Sequence, residues 1–136
     1  MTIAEALDFL RQHPRAVLAT VRRDGGPQLS PVVAAVDDDA SVLVSTRETA
    51  VKTRNVARRP MASLLVLTES FFGAWATIEG AVTVERLPEA LSTLERYYRL
   101  VRGEHPNWEE YRRAMKQERR VILRLRPTAA GPRQLG

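Results

Sequence analysis

Residues 16–36, AVLATVRRDGGPQLSPVVAAV, constrain the fold more than any other stretch. Two apolar segments rich in β-formers flank Asp24, Gly25 and Gly26, and the glycines supply the positive φ angles that a tight hairpin turn needs. A hairpin means antiparallel pairing. Pro31 falls inside the second strand, where it has no N–H to give to a ladder, so it marks an edge, a bulge or an opening. Asp37–Ala40 reads as another turn, with the three adjacent acids hydrated in it. SVLVST at 41–46 reads as a third strand, MASLLVLTE at 61–69 as a fourth, WATIEGAVTVER at 75–86 as a long alternating fifth, and RRVILRLRP at 119–127 as a sixth. Short strands joined by tight turns point to a mainly β (α+β) barrel or sandwich of about six antiparallel strands.

Helices sit around these strands. Thr2 and Glu5 form a capping-box pair ahead of an amphipathic segment carrying Ile3, Leu7 and Leu10, and His13-Pro14 ends it. A short helix is expected from about Thr49 to Arg58, stopped by Pro60. Pro88 opens another that runs to about Arg102, with Leu91, Leu94, Tyr98 and Val101 on one side and Gly103 after it. Asn107 caps a last one, in which Trp108, Tyr111 and Met115 share a face and Glu109 can pair with Arg113. The end, residues 128–136, reads as a loose tail on a single domain spanning 1–136.

Composition narrows the function classes. With no Cys, there are no disulfides and no thiolate–metal sites. With two His, a metal site would have to be built from carboxylates, and none is expected. No apolar run approaches the roughly 20 residues of a membrane span, and MTIAEALDFL lacks the features of a signal peptide, so a cytoplasmic location is expected. The net charge of +5 favours anionic partners. That charge is scattered rather than blocked or interleaved with aromatics, which argues against a nucleic-acid binder. GC-rich codon usage accounts for Arg richness equally well.

No nucleotide loop, zinc motif or nucleophile elbow occurs, and no catalytic residue is assigned. Glu104–His105, beside Pro106 and Trp108, reads as local packing. Lys52 is the exception. Of 21 cationic side chains only Lys52 and Lys116 are lysines, and Lys52 lies in the first turn of a helix, facing the positive end of its dipole. A strand ending in Ser45-Thr46, a polar bend and a helix start can hold a phosphate through free N–H groups, hydroxyls and a point charge, with Arg47 and Arg54 adding more. Taken by residues alone, a solvated surface lysine behind an ordinary Thr49 cap is the commoner outcome.

The stretches VLATVRRDGGPQLSPV, VSTRETAVKTRNVARRPMASLLV, WATIEGAV and YRLVRGEHPNWEEYRRAM…RRVILRLRP resemble the pyridoxamine-phosphate-oxidase-like split barrels, and more closely their actinobacterial branch that uses the deazaflavin coenzyme F420. The likeness covers about Phe9 to Pro127; the KTRN helix start and the GEHxxWxxYRxAM helix are its most specific parts. It implies a split-barrel homodimer with cofactor at the subunit interface. It implies a phosphate held by Ser45, Thr46, Arg47, Lys52 and Asn55, a ring passing Leu29, Ser30, Pro31 and Val32, and a border at Trp75, Ala76 and Thr77. Trp108, Tyr111 and the arginines at 119–120 are candidates to close the site from the partner. It further implies hydride transfer between reduced F420 and a small unsaturated or oxidised substrate. FMN in the same fold is the alternative, and a non-catalytic coenzyme-binding protein another. LTESFFGAW is longer and more aromatic than the pattern, so Phe71 and Phe72 are expected to line a substrate pocket or a dimer seam.

Overall fold

The computed structural model describes residues 1–132 of the chain. In chain order the elements are α1 (Ile3–Gln12), β1 (Arg15–Val21), β2 (Pro27–Val33), β3 (Ala35–Val36), β4 (Val42–Arg47), α2 (Val51–Arg58), β5 (Met61–Leu67), β6 (Trp75–Glu85), α3 (Leu91–Arg102), α4 (Trp108–Gln117) and β7 (Arg120–Gly131). The seven strands form one antiparallel sheet in the order β2-β1-β5-β6-β7-β4-β3. The expected mainly β architecture is what the chain adopts. Its extra strand, β3, is a two-residue piece after β2.

Alternation along the strands sends one set of side chains inward. Leu18, Leu64, Val66, Ile78, Val82, Val44 and Leu123 meet Leu7 and Leu10 of α1 and Val56 of α2 in the main core. Strands from both ends of the sheet share this core, so the sheet curls into an open barrel. On the outside, α3 and α4 cover the β3–β4–β7 sector, where Leu43 and Ile122 pack on Leu94, Tyr111 and Met115. The outer face of β2, β1, β5 and β6 carries no helix and leaves Leu29 62%, Met61 51% and Trp75 38% exposed.

Local rules account for most element ends. Thr2 and Glu5 close the capping box on α1, Gly25 takes φ +88 in the first hairpin, and the Asn107 side chain accepts the Glu110 N–H at the start of α4. Three expectations need correction. The helix after β6 begins at Leu91, because Leu87–Ala90 make a separate turn. Of the expected loose tail, residues 128–131 are strand: Ala129, Ala130 and Gly131 pair with Glu79, Ile78 and Thr77 beyond a bulge at Glu79/Gly80. Unsatisfied main chain on β6 is a stronger determinant there than the weak β-propensity of Thr-Ala-Ala-Gly. Gly80 permits the bulge, since a Cβ there would run into the Arg126 carbonyl. The rest of the expected tail, 133–136, lies outside the described residues.

The third correction concerns the acidic turn. Asp37 is not hydrated but buried, with its carboxylate held between two guanidiniums. Arg96 of α3 donates to both of its oxygens (3.2 and 2.9 Å), and Arg124 of β7 donates to one (2.9 Å). Arg124, also buried, donates to Ser41 Oγ (2.6 Å) and Glu85 (2.5 Å) as well. Arg96 above all, then Arg124, hold the Asp37 carboxyl well below the usual carboxylate range, against the opposing effect of burial. A carboxylate depressed in the folded state contributes stability that is complete above its unfolded value of 3.8 and is lost as pH falls below it.

Removing Arg124 strands this charge. Arg124→Ala is expected to cost about 3–5 kcal/mol, read as a lower urea midpoint at pH 7. Asp37→Asn is expected to flatten the loss of stability below about pH 4 that the parent shows.

Candidate functional site

The barrel is open where the edge of β2 faces β4. The phase of β2 follows from two hydrogen bonds. Ala34 N–H donates to Pro14 O (2.8 Å), toward β1, whereas Val33 O accepts from the Tyr97 hydroxyl (2.7 Å), away from it. In an antiparallel strand alternate residues point their main-chain groups to opposite sides. The odd-numbered residues Pro27, Leu29, Pro31 and Val33 therefore face the gap. Both prolines sit where the missing N–H would have pointed into open space, so no ladder bond is lost. On the other side, Asp37 N–H donates to Ser41 O (2.9 Å), which sets the odd residues of β4 facing β3 and, past its end, the gap. Ser45 and Arg47 thus turn their main chain to the same opening as Leu29 and Pro31.

One hydroxyl spans this split. Tyr97 of α3 reaches Val33 on β2, and the Ser45 main chain faces the same oxygen. Burial raises the Tyr97 phenol above its ordinary range, against the opposing charges of Arg120 and Arg102. At the end of β4 the chain turns into α2. Its cap residue, Ala50, contributes no side-chain bond, and the first turn holds no acidic residue. Thr49 does not cap it: the helix begins at Val51, and Lys52 occupies its second position. The N–H groups of this turn are left directed outward with a lysine among them, a combination suited to an anion. Under β2, Ser30 Oγ is buried and has no hydrogen-bond partner among the described residues. A buried donor left unmade is uncommon and costs roughly 1–3 kcal/mol, so it calls for a missing partner. The residues present fit a phosphate-bearing cofactor on these two grounds.

The expected site residues divide. Ser45, Arg47 and Lys52 lie together around the β4–α2 junction, and Leu29 and Pro31 lie across the split. Ser30 and Val32 point to the opposite face of β2 from Leu29 and Pro31, as strand alternation requires. Thr46 is buried on the inner face. Arg47 is tied loosely to Glu118 (3.4 Å). Asn55 is buried and employed internally: its amide donates to Thr20 Oγ (3.0 Å) and its oxygen accepts from Arg58 (3.0 Å), fastening α2 to β1. Trp75, Ala76 and Thr77 are not brought to this corner within one chain. Two strands, β1 and β5, separate β6 from β2, roughly 14 Å at the ordinary strand spacing. Ala76 is buried, while Trp75 and Thr77 lie on the bare outer face.

Of the residues expected to close a partner's site, Tyr111 is buried and donates to Leu94 O (2.7 Å), and burial pushes its phenol up to about 12. Trp108 donates to Glu104 (3.1 Å) and lies beneath the Arg99 guanidinium. His105 packs against Tyr98, Trp108 and Tyr111, the local role read from the sequence. Arg112, not Arg113, makes the α4 ion pair, with Glu95 (2.5 Å). Phe71 and Phe72 stack edge to face, 73% and 96% exposed. Sequence reasoning missed Tyr97. The signal available was a tyrosine three residues after Leu94, on the same side of the helix.

Among the described residues no cluster of three or more His, Asp or Glu is placed to hold a metal ion, and no helix is long and apolar enough to cross a membrane. A family model described as pyridoxamine 5'-phosphate oxidase matches residues 2–132. Among solved structures, a conserved hypothetical protein from Mycobacterium tuberculosis is similar at 23% identity and a TM-score of 0.75, over 100% of this chain and 92% of that one. A protein described as an F420 reductase is similar at 24% identity and a TM-score of 0.68, over 90% and 93% of the two chains. The heme storage protein HutZ from Vibrio cholerae is similar at 16% identity and a TM-score of 0.68, over 96% and 94%. These identities establish a shared fold.

Tyr97→Phe removes the bridging hydroxyl alone. It is expected to cost about 1 kcal/mol and to speed amide exchange at Ser45 while leaving exchange in β5 unchanged. Equal exchange at Ser45 in both proteins would mean that the hydroxyl does not hold the split.

Proposed function

The chain belongs to the pyridoxamine 5'-phosphate oxidase family, and from that footing we propose that it is an oxidoreductase using the deazaflavin coenzyme F420. The observation that carries the proposal is the uncapped first turn of α2, with Lys52 in it and no carboxylate to neutralise it, opening beside the unpaired edges of β2 and β4. A phosphate there offsets the unfavourable meeting of a cation with the positive helix end. Arg47, held only by a long contact to Glu118, is free to turn to the same anion.

In this reading the ring lies along the split. Leu29 and Pro31 supply a backbone edge with few donors, and Ser30 Oγ supplies one unspent hydrogen bond beneath it. Reduced F420 would supply the hydride; the protein's share is position, charge and exclusion of water. No side chain at the split is assigned as a catalytic acid or base, which suits chemistry carried by the coenzyme. The bare apolar face of β2, β1, β5 and β6 supports a homodimer in which a second copy brings its own β6, Trp75 included, to the site. A small unsaturated or oxidised molecule is the proposed acceptor, in the cytoplasm.

FMN is the second reading, because a ribityl phosphate would satisfy the same helix end. Titration of the protein with F420 and with FMN, followed by absorption spectra, decides between them. Tighter F420 binding is expected, and preference for FMN would overturn the coenzyme assignment. Lys52→Ala is expected to weaken coenzyme binding more than tenfold without unfolding the protein, since a charge-assisted bond contributes about 1.5–3 kcal/mol. Unchanged affinity in that variant would remove the phosphate from this corner.

A further inference from the structure

A cavity of about 320 Å³ lies over the split, where α3 and α4 cross the ends of β2 and β4. Its floor is Val33 and Ser45, the two residues that Tyr97 ties together. Its walls are aromatic: Tyr97, Tyr98 and Tyr111, with Tyr98 edge-on to Tyr111 at 5.2 Å between centroids. Two of the three hydroxyls are already spent, Tyr97 on Val33 O and Tyr111 on Leu94 O (both 2.7 Å). Those rings therefore offer carbon faces and edges, and Met115 adds an adaptable thioether. At the rim stand Arg102 and Arg120. Arg120 is shared with Glu118 at 3.1 Å, and the nearby Glu95 is engaged by Arg112. Arg102, in the last turn of α3, pairs with no carboxylate among the described residues.

Apolar, flat-sided walls with guanidiniums at one end select for shape and charge together. Stacking on tyrosine favours planar unsaturated groups over bulky aliphatic ones, and a guanidinium fork matches a carboxylate. The volume sits at the low end of small-ligand pockets, roughly 300–1,000 Å³, which limits the occupant to one or two fused rings or their equivalent.

We infer that this cavity binds a planar, unsaturated carboxylic acid, its ring system against the tyrosine-lined wall and its carboxylate on Arg102. Resting on the coenzyme reading above, such an acid is the acceptor class of the enzyme, because the cavity floor is the split itself. The binding claim stands without that reading.

The test uses the full chain with no coenzyme added. Isothermal titration with 2-naphthoate, a planar carboxylate, is compared with 2-naphthalenemethanol, its neutral counterpart. Naphthoate is expected to bind one per chain and at least tenfold more tightly than the alcohol. Arg102→Gln, at an exposed helix end and with its fold checked by circular dichroism, is expected to erase that difference. Arg113→Gln, on the far surface of α4, is expected to keep it. Equal affinity for the two probes, no binding of naphthoate, or an unchanged preference in Arg102→Gln would overturn the proposal. Failure of the F420 titration with a positive naphthoate result would sink the coenzyme reading alone, and the reverse pattern would sink the cavity alone.

Discussion

A single guanidinium fixes the relative position of the parts that make the split. Arg124 lies in the middle of β7 and reaches Asp37 at the β3–β4 turn, Ser41 at the start of β4, and Glu85 at the end of β6. Asp37 passes the constraint on to Arg96 of α3. The next residue along that helix is Tyr97, the one that bridges β2 and β4. Ion pairs exposed to water contribute little, but this one is buried, and a buried charge holds its partners to a narrow geometry because any other arrangement leaves it unpaired. The network therefore sets the height of α3 over the opening. It also orients the aromatic cavity, since Tyr98 and Arg102 lie on the same helix.

An open barrel needs a reason for its free edges to stay free. Exposed strand edges are templates for unwanted pairing, and β2 blunts its own with proline at 27 and 31, both in the phase that points outward. What remains on that edge is two N–H groups, at Leu29 and Val33, and a few carbonyls. The same feature that guards against aggregation leaves a flat, donor-poor rail along which a ring system can lie. On β4 the protection is different: β3 covers Val42 and Leu43, and α2 begins just after Arg47, so the uncovered part is short.

Much of this was legible in the residues. Strand alternation, the Asp-Gly-Gly turn, the capping box and the Asn107 cap each follow from local rules, and each occurs. What sequence could not supply was register and sheet order. Three consecutive aspartates read alike, and only the pairing of β4 with β7 decides that Asp37 meets Arg124 while Asp38 stays in water. Thr128–Gly131 carries no strand signal of its own; it is strand because β6 extends past it with unpaired main chain. The candidate ring contacts at 29–32 show a limit of a different kind. A period of two was available to divide them into Leu29 and Pro31 against Ser30 and Val32, and the phase of the prolines was enough to name the outer pair.

The placement of Lys52 and the cationic rim of the cavity bear on each other. Ser45 lines the cavity, while the strand it belongs to ends two residues later at the β4–α2 junction, where the phosphate is proposed to bind. Arg120 pairs in register with Arg47 across β4 and β7, and Glu118 reaches both (3.1 and 3.4 Å). One carboxylate thus serves two guanidiniums, one facing the helix start and one facing the cavity. An anion at the helix start, if bound as proposed, would compete with Glu118 for Arg47 and leave Glu118 to Arg120. Arg102, outside this exchange, keeps its full charge. The two proposed anion sites thus draw on different principal cations, Lys52 and Arg102.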